Sequence, residues 1–327
     1  MVSLDAVKQS NAGLKDYGPG LVGVFVGGTS GIGEATARSF VKYAIAPIVY
    51  LIGRNETQAA RIIEDLEALN PESRVTFVQC DVSLLRRVDE ACRAIQEKEE
   101  KVNVLVLSSG IFTTKGRDET SEGLDKKLTL HYYARMRFIS NLLPQLIQAG
   151  TWLNGLVAGK SRGLASVVSV LEAGGEGPLI LEDLALKENY SLKNCAKHAI
   201  TMTSLSLEEL AKANPAISFV HTYPGVVRTG LLRDFNPVTQ FLMNVLLFIA
   251  KPWTVPLDEC GERHVFAATG VPRARAIGAG EGSGKPYLVS WDGEPRGNQN
   301  VLGLYREKKI GPVVWKHTQD VFRRICS

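Results

Sequence analysis

A glycine-rich segment near the N-terminus constrains the fold of this 327-residue chain more than any other feature. The segment Gly27-Gly28-Thr29-Ser30-Gly31-Ile32-Gly33 follows an apolar run at 21–26 and opens a stretch with helical spacing at 34–43. Because glycine lacks a Cβ atom, the backbone can turn sharply after a buried strand and approach a pyrophosphate. The negative charge of that group is stabilised at the N-terminus of a helix. The segment therefore predicts a nucleotide site.

Apolar runs typical of buried strands alternate along the chain with segments of helical spacing. The predicted strands are 21–26, 48–52, 75–78, 102–107, 165–170, 217–221 and 287–290, and the predicted helices are 34–43, 56–69, 84–99, 124–149 and 193–214. This alternation predicts an α/β fold, a Rossmann-type doubly wound parallel sheet. We find no linker or internal repeat. We therefore expect a single domain over 1–327, with a core at 20–270 and a C-terminal extension at 234–327 that covers the substrate.

Composition and charge narrow the classes of partner. The chain is 45% hydrophobic and has a formal net charge of +4, with basic residues scattered among acidic ones, which argues against nucleic-acid binding. Five widely spaced cysteines without a CxxC pair predict neither disulfides nor a metal site. No signal peptide is evident, and we expect a cytoplasmic protein.

The most apolar piece of the chain, 241–250, is too short to cross a bilayer. We expect it to form a helix that covers the substrate cleft or packs on the sheet. Peripheral membrane contact and homodimer formation are the alternatives for this piece.

Two residues beyond the glycine-rich segment indicate which nucleotide is bound. Arg54 follows the second predicted strand, where an NAD site usually has an acidic residue for the ribose 2′-hydroxyl; a guanidinium instead suits a 2′-phosphate. Asp81 follows the third predicted strand and can accept a hydrogen bond from the adenine amino group. Its alternative role is to cap the next helix near Ser83. We therefore predict that the cofactor is NADP(H).

The order and spacing of five segments resemble the short-chain dehydrogenase/reductase family. These segments are Gly27-x3-Gly31-Ile32-Gly33, Gly53-Arg54-Asn55, Cys80-Asp81-Val82, Ser108-Ser109-Gly110 and Pro224-Gly225-Val226-Val227-Arg228-Thr229. Over about residues 20–270 the chain is most similar to the retinol-dehydrogenase-like branch and to NADP-binding members of fungal secondary metabolism.

The resemblance implies that Gly110 lies under the adenosine and that 224–229 hold the nicotinamide carboxamide. The predicted cofactor-binding residues are Gly27, Thr29, Ser30, Gly31, Ile32, Gly33, Arg54, Asn55, Asp81, Val82, Ser109, Gly110, Pro224, Gly225, Val227 and Thr229.

The residues that the family uses for catalysis are replaced in this chain. The family exchanges a proton with the substrate oxygen through a Tyr, lowers the pKa of that Tyr with a Lys four residues later, and adds a Ser and an Asn. An alignment through Tyr190 and 207–211 gives these replacements: Ala196 for the Tyr, Ile200 for the Lys, Leu171 or Glu172 for the Ser, and His131 for the Asn. A slipped alignment makes Tyr190 the catalytic Tyr and gives it Asn194 as partner.

Other side chains near the expected nicotinamide are candidates for acid–base chemistry. We predict His131, Tyr133, Glu172 and Tyr190 as catalytic residues, since burial can separate the pKa values of a His and a Glu in one cleft. The predicted function is an NADP(H)-dependent oxidoreductase with a non-standard site, acting on a hydrophobic carbonyl or alcohol. The alternatives are a redox-neutral cyclase or isomerase that uses His131 and Glu172, and a non-catalytic NADP-binding protein.

Overall fold

The computed structural model describes residues 1–151, 163–228, 254–278 and 284–327. Within these residues, seven strands form one parallel sheet in the order β3-β2-β1-β4-β5-β6-β9, and β7 pairs with β8 separately. The strands are β1 (Val22–Val26), β2 (Ile48–Gly53), β3 (Arg74–Gln79), β4 (Val104–Leu107), β5 (Ser166–Val170), β6 (Ser218–Tyr223), β7 (Val226–Val227), β8 (Thr254–Val255) and β9 (Tyr287–Ser290). This is the doubly wound Rossmann-type sheet that the alternation predicts.

Helices pack on both faces of the sheet. They are α1 (Leu4–Ala12), α2 (Gly31–Tyr43), α3 (Glu56–Leu69), α4 (Leu85–Gln96), α5 (Lys126–Leu128), α6 (Ala134–Thr151), α7 (Leu192–Ala213), α8 (Leu257–Gly278), α9 (Gln299–Glu307) and α10 (Ile310–Cys326). A π-helical turn, Thr129–Tyr133, joins α5 to α6, so the long helix predicted at 124–149 forms with an interruption. The polar N-terminal residues form α1, which packs against α8 and was not predicted.

The central strands are buried on both sides because they carry apolar residues at nearly every position. All residues of β1, β4 and β5 are buried. Val24 and Leu105 belong to the core beneath α4, α6 and α7, whereas Phe25 and Leu51 belong to the core beneath α2 and α8. Continuous apolar strands of this kind are typical of a parallel sheet covered by helices on both faces.

The described part of the C-terminal extension completes the sheet and one helical layer. β9 pairs in parallel with β6, and α10 packs across α7 and α4. The apolar piece 241–250 and Thr229 lie outside the described residues, so the prediction of a cover over the substrate stays a prediction. No helix among the described residues is both long and apolar enough to cross a membrane.

Candidate active site

A cavity of about 630 Å³ opens at the carboxyl ends of β1 to β4. It is lined by loop residues that follow each strand and by the first turns of the neighbouring helices. The lining residues are Gly27, Thr29, Ser30, Gly31, Ile32, Ile52, Gly53, Arg54, Asn55, Glu56, Gln58, Cys80, Asp81, Val82, Ser108, Ser109, Gly110, Ile111, Lys126 and Leu130. Most of the predicted nucleotide-binding residues therefore converge on one cavity. Gly33, Pro224, Gly225 and Val227 do not line it.

The glycine-rich loop has a backbone that other residues would not adopt at this position. Gly27 has a φ of 81°, and a Cβ atom there would lie 2.9 Å from the amide nitrogen of Ser109. Ser30 is the N-cap residue of α2, but its side chain caps no backbone N–H. The first amides of α2 therefore lack a side-chain acceptor at a point where Ser30, Gly31 and Ile32 line the cavity. Such a helix terminus fits a phosphate group.

Arg54 is exposed and lines the cavity. Its carbonyl oxygen accepts a hydrogen bond from Gln79 Nε2 at 3.2 Å, which holds the backbone in place. Arg54 takes part in none of the ion pairs among the described residues. Its positive charge is therefore available to a ligand in this cavity.

Asp81 caps the turn near Ser83, which is one of its two predicted roles, and it also lines the cavity. Its Oδ1 accepts hydrogen bonds from the Ser83 backbone N–H at 3.1 Å and from the Ser83 hydroxyl at 2.7 Å. The carboxylate thus caps the turn before α4 through one oxygen. Its second oxygen has no partner among these contacts and can accept from a bound base.

At the end of β4, the floor of the cavity rests on His131. The backbone N–H of Ile111 donates to His131 Nε2 at 3.2 Å, and a Cβ atom at Gly110 would lie 2.9 Å from the same nitrogen. Desolvation, together with the nearby cations Arg135 and Lys127, lowers the pKa of His131 to about 3. The imidazole is therefore neutral at physiological pH and accepts through Nε2. Its role in this geometry is to support the backbone.

A buried arginine that our sequence reasoning missed lies four residues beyond His131. Arg135 is 2% exposed; its Nη2 donates to Ser109 O at 2.7 Å and its Nη1 donates to Val170 O at 2.7 Å. Its Nε donates to Leu130 O at 3.2 Å. The guanidinium therefore ties the ends of β4 and β5 to the π-helical turn with uncharged acceptors. The sequence signal for a buried arginine was its position four residues after His131, on the same face of the helix and among apolar residues.

Comparison with known proteins agrees with this geometry. Residues 22–170 match the family model for short chain dehydrogenase. An oxidoreductase of Emericella nidulans, AN1596, is 42% identical, and the match covers 98% of each chain. The chain belongs to the short-chain dehydrogenase/reductase family.

Two further matches extend the comparison. A short-chain dehydrogenase/reductase of Stachybotrys chartarum, SAT2, is 28% identical over 93% of this chain and 86% of that protein. The crystal structure of an NADPH-bound carbonyl reductase from chicken fatty liver superimposes with a TM-score of 0.56 at 19% identity, covering 85% of this chain and 99% of that one. This second likeness shows the shared fold.

On α7, the two positions that the alignment through Tyr190 predicts for the family's catalytic pair carry neither an acid nor a base. Ala196 is half-buried and Ile200 is buried on α7. Tyr190 lies just before the helix, and its burial, with Cys195 and Asp125 close by, raises the pKa of the hydroxyl. A tyrosine with a raised pKa is a weaker proton donor than a free one.

The two remaining candidates do not converge with His131. Tyr133 is buried, and its hydroxyl lies 2.8 Å from His317 Nε2 on α10, so it faces the C-terminal helix rather than the cavity. Glu172 is exposed after β5, with its side chain packed over Gly175. No hydrogen bond links Glu172 to His131 within the described part of the chain.

A chain of buried polar groups fixes the loop that follows β5. The backbone N–H of Glu172 donates to His221 Nε2 at 3.3 Å, and His221 Nδ1 lies 2.9 Å from Ser204 Oγ. Ser204 in turn donates to Glu176 Oε1 at 2.8 Å. Burial lowers the pKa of His221 to about 3, so this histidine is also neutral. These bonds hold residues 172–176 in one conformation beside the cavity.

Proposed function

We propose that this chain is an NADP(H)-dependent oxidoreductase that acts on a hydrophobic carbonyl or alcohol compound of fungal secondary metabolism. The observation that carries the choice of nucleotide is Arg54, an exposed guanidinium that lines the cavity and forms no ion pair among the described residues. A guanidinium binds a phosphate through two parallel charge-assisted hydrogen bonds. An acidic side chain at the same place would repel the 2′-phosphate and favour NAD.

The residues of the cavity fit the parts of this nucleotide. The amides at the start of α2 would bind the pyrophosphate, Arg54 the 2′-phosphate and Asp81 the adenine amino group. Pro224, Gly225 and Val227 follow β6 at the same edge of the sheet, where the family resemblance implies that the carboxamide is held. When bound, the nicotinamide supplies a hydride donor or acceptor.

The chain's own contribution to the reaction is to bind and orient. His131 is neutral and its Nε2 already accepts from Ile111, while Ala196 and Ile200 cannot exchange a proton. We therefore propose that the proton on the substrate oxygen exchanges with water in the cleft. The redox-neutral alternative has less support, because His131 and Glu172 lie on different loops without a shared contact.

Titration of the purified protein with NADPH and with NADH by fluorescence tests the choice of nucleotide. Wild type should bind NADPH more tightly, and Arg54→Ala should weaken NADPH binding about ten- to a hundredfold while leaving NADH nearly unchanged. Arg61→Ala is the matched control, since Arg61 is exposed on α3 and does not line the cavity. Equal affinities of wild type for the two nucleotides would contradict the assignment.

Turnover separates the three functions. A panel of hydrophobic ketones and aldehydes should oxidise NADPH in the presence of the protein. Conversion of a substrate with no nicotinamide present would favour the cyclase or isomerase. Tight NADPH binding without turnover of any panel member would favour the non-catalytic alternative.

A further inference from the structure

Arg296 lies at the carboxyl ends of β5 and β6, the strands that follow β4 in the sheet, and it does not line the cavity. Its Nε donates to the carbonyl oxygen of Ala173 at 2.8 Å, and its guanidinium lies 4.0 Å from the ring centroid of Tyr223. Ala173 is in the loop after β5, and Tyr223 is the last residue of β6. Ligands of open parallel sheets bind outside the carboxyl ends of the strands. Arg296 therefore borders the part of the cleft next to the nucleotide cavity.

The local backbone makes room for this arginine. Gly174 has a φ of 88°, and a Cβ atom at that position would lie 2.6 Å from Arg296 Cγ and 3.0 Å from Arg296 Nε. The aliphatic stem thus lies over a bare stretch of backbone, and the guanidinium stacks on an aromatic face. These contacts use Nε and the face of the group. The Nη1 and Nη2 hydrogens are not used by them.

The positive charge of Arg296 has no carboxylate partner among the described residues. The side chain is exposed, and the acidic residues around it have other contacts. Glu294 binds the N-terminal amine of Met1 at 2.9 Å, and Glu172 is packed over Gly175. Glu176 is buried and accepts from Ser204 and from the backbone N–H of Asn298. Arg296 therefore forms no ion pair with Glu294, Glu172 or Glu176, and Glu294 and Glu176 are engaged by other groups.

The loop after β5, on which Arg296 lies, is held by hydrogen bonds with His221 and Ser204 and by one from Asn298. The hydrogen bonds from Glu172 N–H to His221 and from Ser204 to Glu176 fix the loop after β5. The Asn298 side chain donates to the carbonyl oxygen of Glu176 at 3.1 Å, two residues beyond the arginine. Little conformational entropy is then lost when the guanidinium binds a ligand.

We infer that Arg296 binds a carboxylate of the substrate, so that the substrate is a hydrophobic carbonyl or alcohol compound that also carries an acid group. A planar guanidinium with two free nitrogens matches a carboxylate bidentately. The carbonyl or alcohol part of this statement rests on the proposed function, whereas recognition of the acid does not require the nucleotide.

The test is isothermal titration of the full chain with 4-oxo-4-phenylbutanoate and with its methyl ester, each in the presence and absence of saturating NADPH. Wild type should bind the acid at least tenfold more tightly than the ester. Arg296→Gln retains much of the length and a donor for Ala173 but removes the charge; it should weaken the acid about ten- to a hundredfold and the ester less than twofold. Arg296→Lys should retain part of the preference. Arg323→Ala, a change at an exposed arginine on α10, is the control and should behave as wild type.

Three results would overturn the inference. These are equal binding of acid and ester by wild type, no binding of the acid by wild type, and equal loss of both probes in Arg296→Gln together with a lower melting temperature. The last result would make Arg296 a clamp for the loop after β5. If NADPH fails to bind while the acid is still preferred without it, the oxidoreductase proposal fails and the carboxylate site stands.

Discussion

The two halves of the cleft differ in whether their polar groups are hydrogen-bonded within the protein. At the ends of β1 to β3, the first amides of α2 and the guanidinium of Arg54 have no side-chain partners in the described chain and face a cavity. At the ends of β4 and β5, His131, Arg135 and His221 are bound to backbone and side-chain groups of the protein itself. One half is arranged to receive a ligand, and the other is arranged to hold its own loops.

This difference explains why nucleotide binding and catalysis can change independently in one fold. The nucleotide half depends on backbone direction and on the absence of Cβ atoms at its glycines, which the residue types at positions 196 and 200 of α7 do not determine. In the alignment through Tyr190, the catalytic positions of α7 carry Ala196, which is half-buried, and Ile200, which is buried. Arg54 and Arg296, which form no ion pair among the described residues, are the two groups that we propose bind ligands.

Arg135→Met should produce the largest effect, because Arg135 is the group that joins the catalytic half to the rest of the sheet. The change leaves the carbonyl oxygens of Ser109, Leu130 and Val170 buried without donors. We expect the free energy of unfolding to fall by about 3–5 kcal/mol. Urea denaturation measures this, with Arg323→Ala as an exposed control that should change stability by less than about 0.5 kcal/mol. Equal free energies of unfolding for the two variants would contradict the expected contribution of Arg135 to stability.

Gly31→Val should weaken the affinity for the nucleotide at least about a hundredfold. This variant tests only the half of the cleft at the ends of β1 to β3. Gly31 has a φ of 59° at the start of α2, a conformation that a β-branched residue adopts poorly, and its side chain would enter the phosphate space. NADPH titration monitors binding, and circular dichroism confirms that the variant is folded. Unchanged NADPH affinity in the folded variant would mean that this loop is not the site.

The low pKa of the half-buried His131 predicts a loss of stability in acid. His131 has a folded pKa of about 3, against about 6.5 when unfolded, so below pH 6.5 the unfolded chain binds a proton that the folded chain does not. Stability should therefore fall as the pH drops from 6.5 toward 4, by up to about 1.4 kcal/mol per pH unit for this residue. His131→Gln can still accept from Ile111, because its Oε1 reaches about as far as Nε2 of the imidazole, but it cannot titrate. Its urea stability should fall less steeply with acid than that of wild type, and parallel curves would contradict the burial of His131 as the neutral form.

The sheet and the nucleotide half could be predicted from the sequence because their signals are local. Apolar runs that alternate with segments of helical spacing predicted all seven strands of the main sheet, and Arg54 and Asp81, which follow two of these runs, line the cavity. Helix α1 could not be predicted in this way, because its residues are mostly polar. It packs against α8 and buries Val7 and Asn11.

The catalytic half could not be predicted in the same way, because its contacts join residues far apart in sequence. Nothing near position 135 indicates that its guanidinium reaches the carbonyl oxygens of Ser109 and Val170. Tyr133 and His131 are two residues apart, yet the π-helical turn directs one toward α10 and the other toward Ile111. Alignment identifies a replaced residue, but the new partners of its neighbours depend on tertiary packing.

The smallest expected effects concern the lysines of α7. Lys193 is exposed, so Lys193→Ala should leave turnover of NADPH with a hydrophobic ketone within twofold of wild type. Lys197 donates to the carbonyl oxygen of Gly175 at 2.7 Å, so Lys197→Ala should loosen the loop after β5 and lower turnover a few-fold. Neither change should shift the pH dependence of turnover. Position 196 is an alanine, so it carries no tyrosine hydroxyl whose pKa a lysine could lower.

Tyr190→Phe is the matched control for this series, since it removes only a hydroxyl whose pKa is raised by burial. Its turnover should also stay within a few-fold of wild type, provided that circular dichroism shows an unchanged fold. If this variant alone lost activity, and the lysine variants and His131→Gln kept it, the slipped alignment would be correct. Proton transfer by a tyrosine would then replace exchange with water, while the assignment of the nucleotide half would be unaffected.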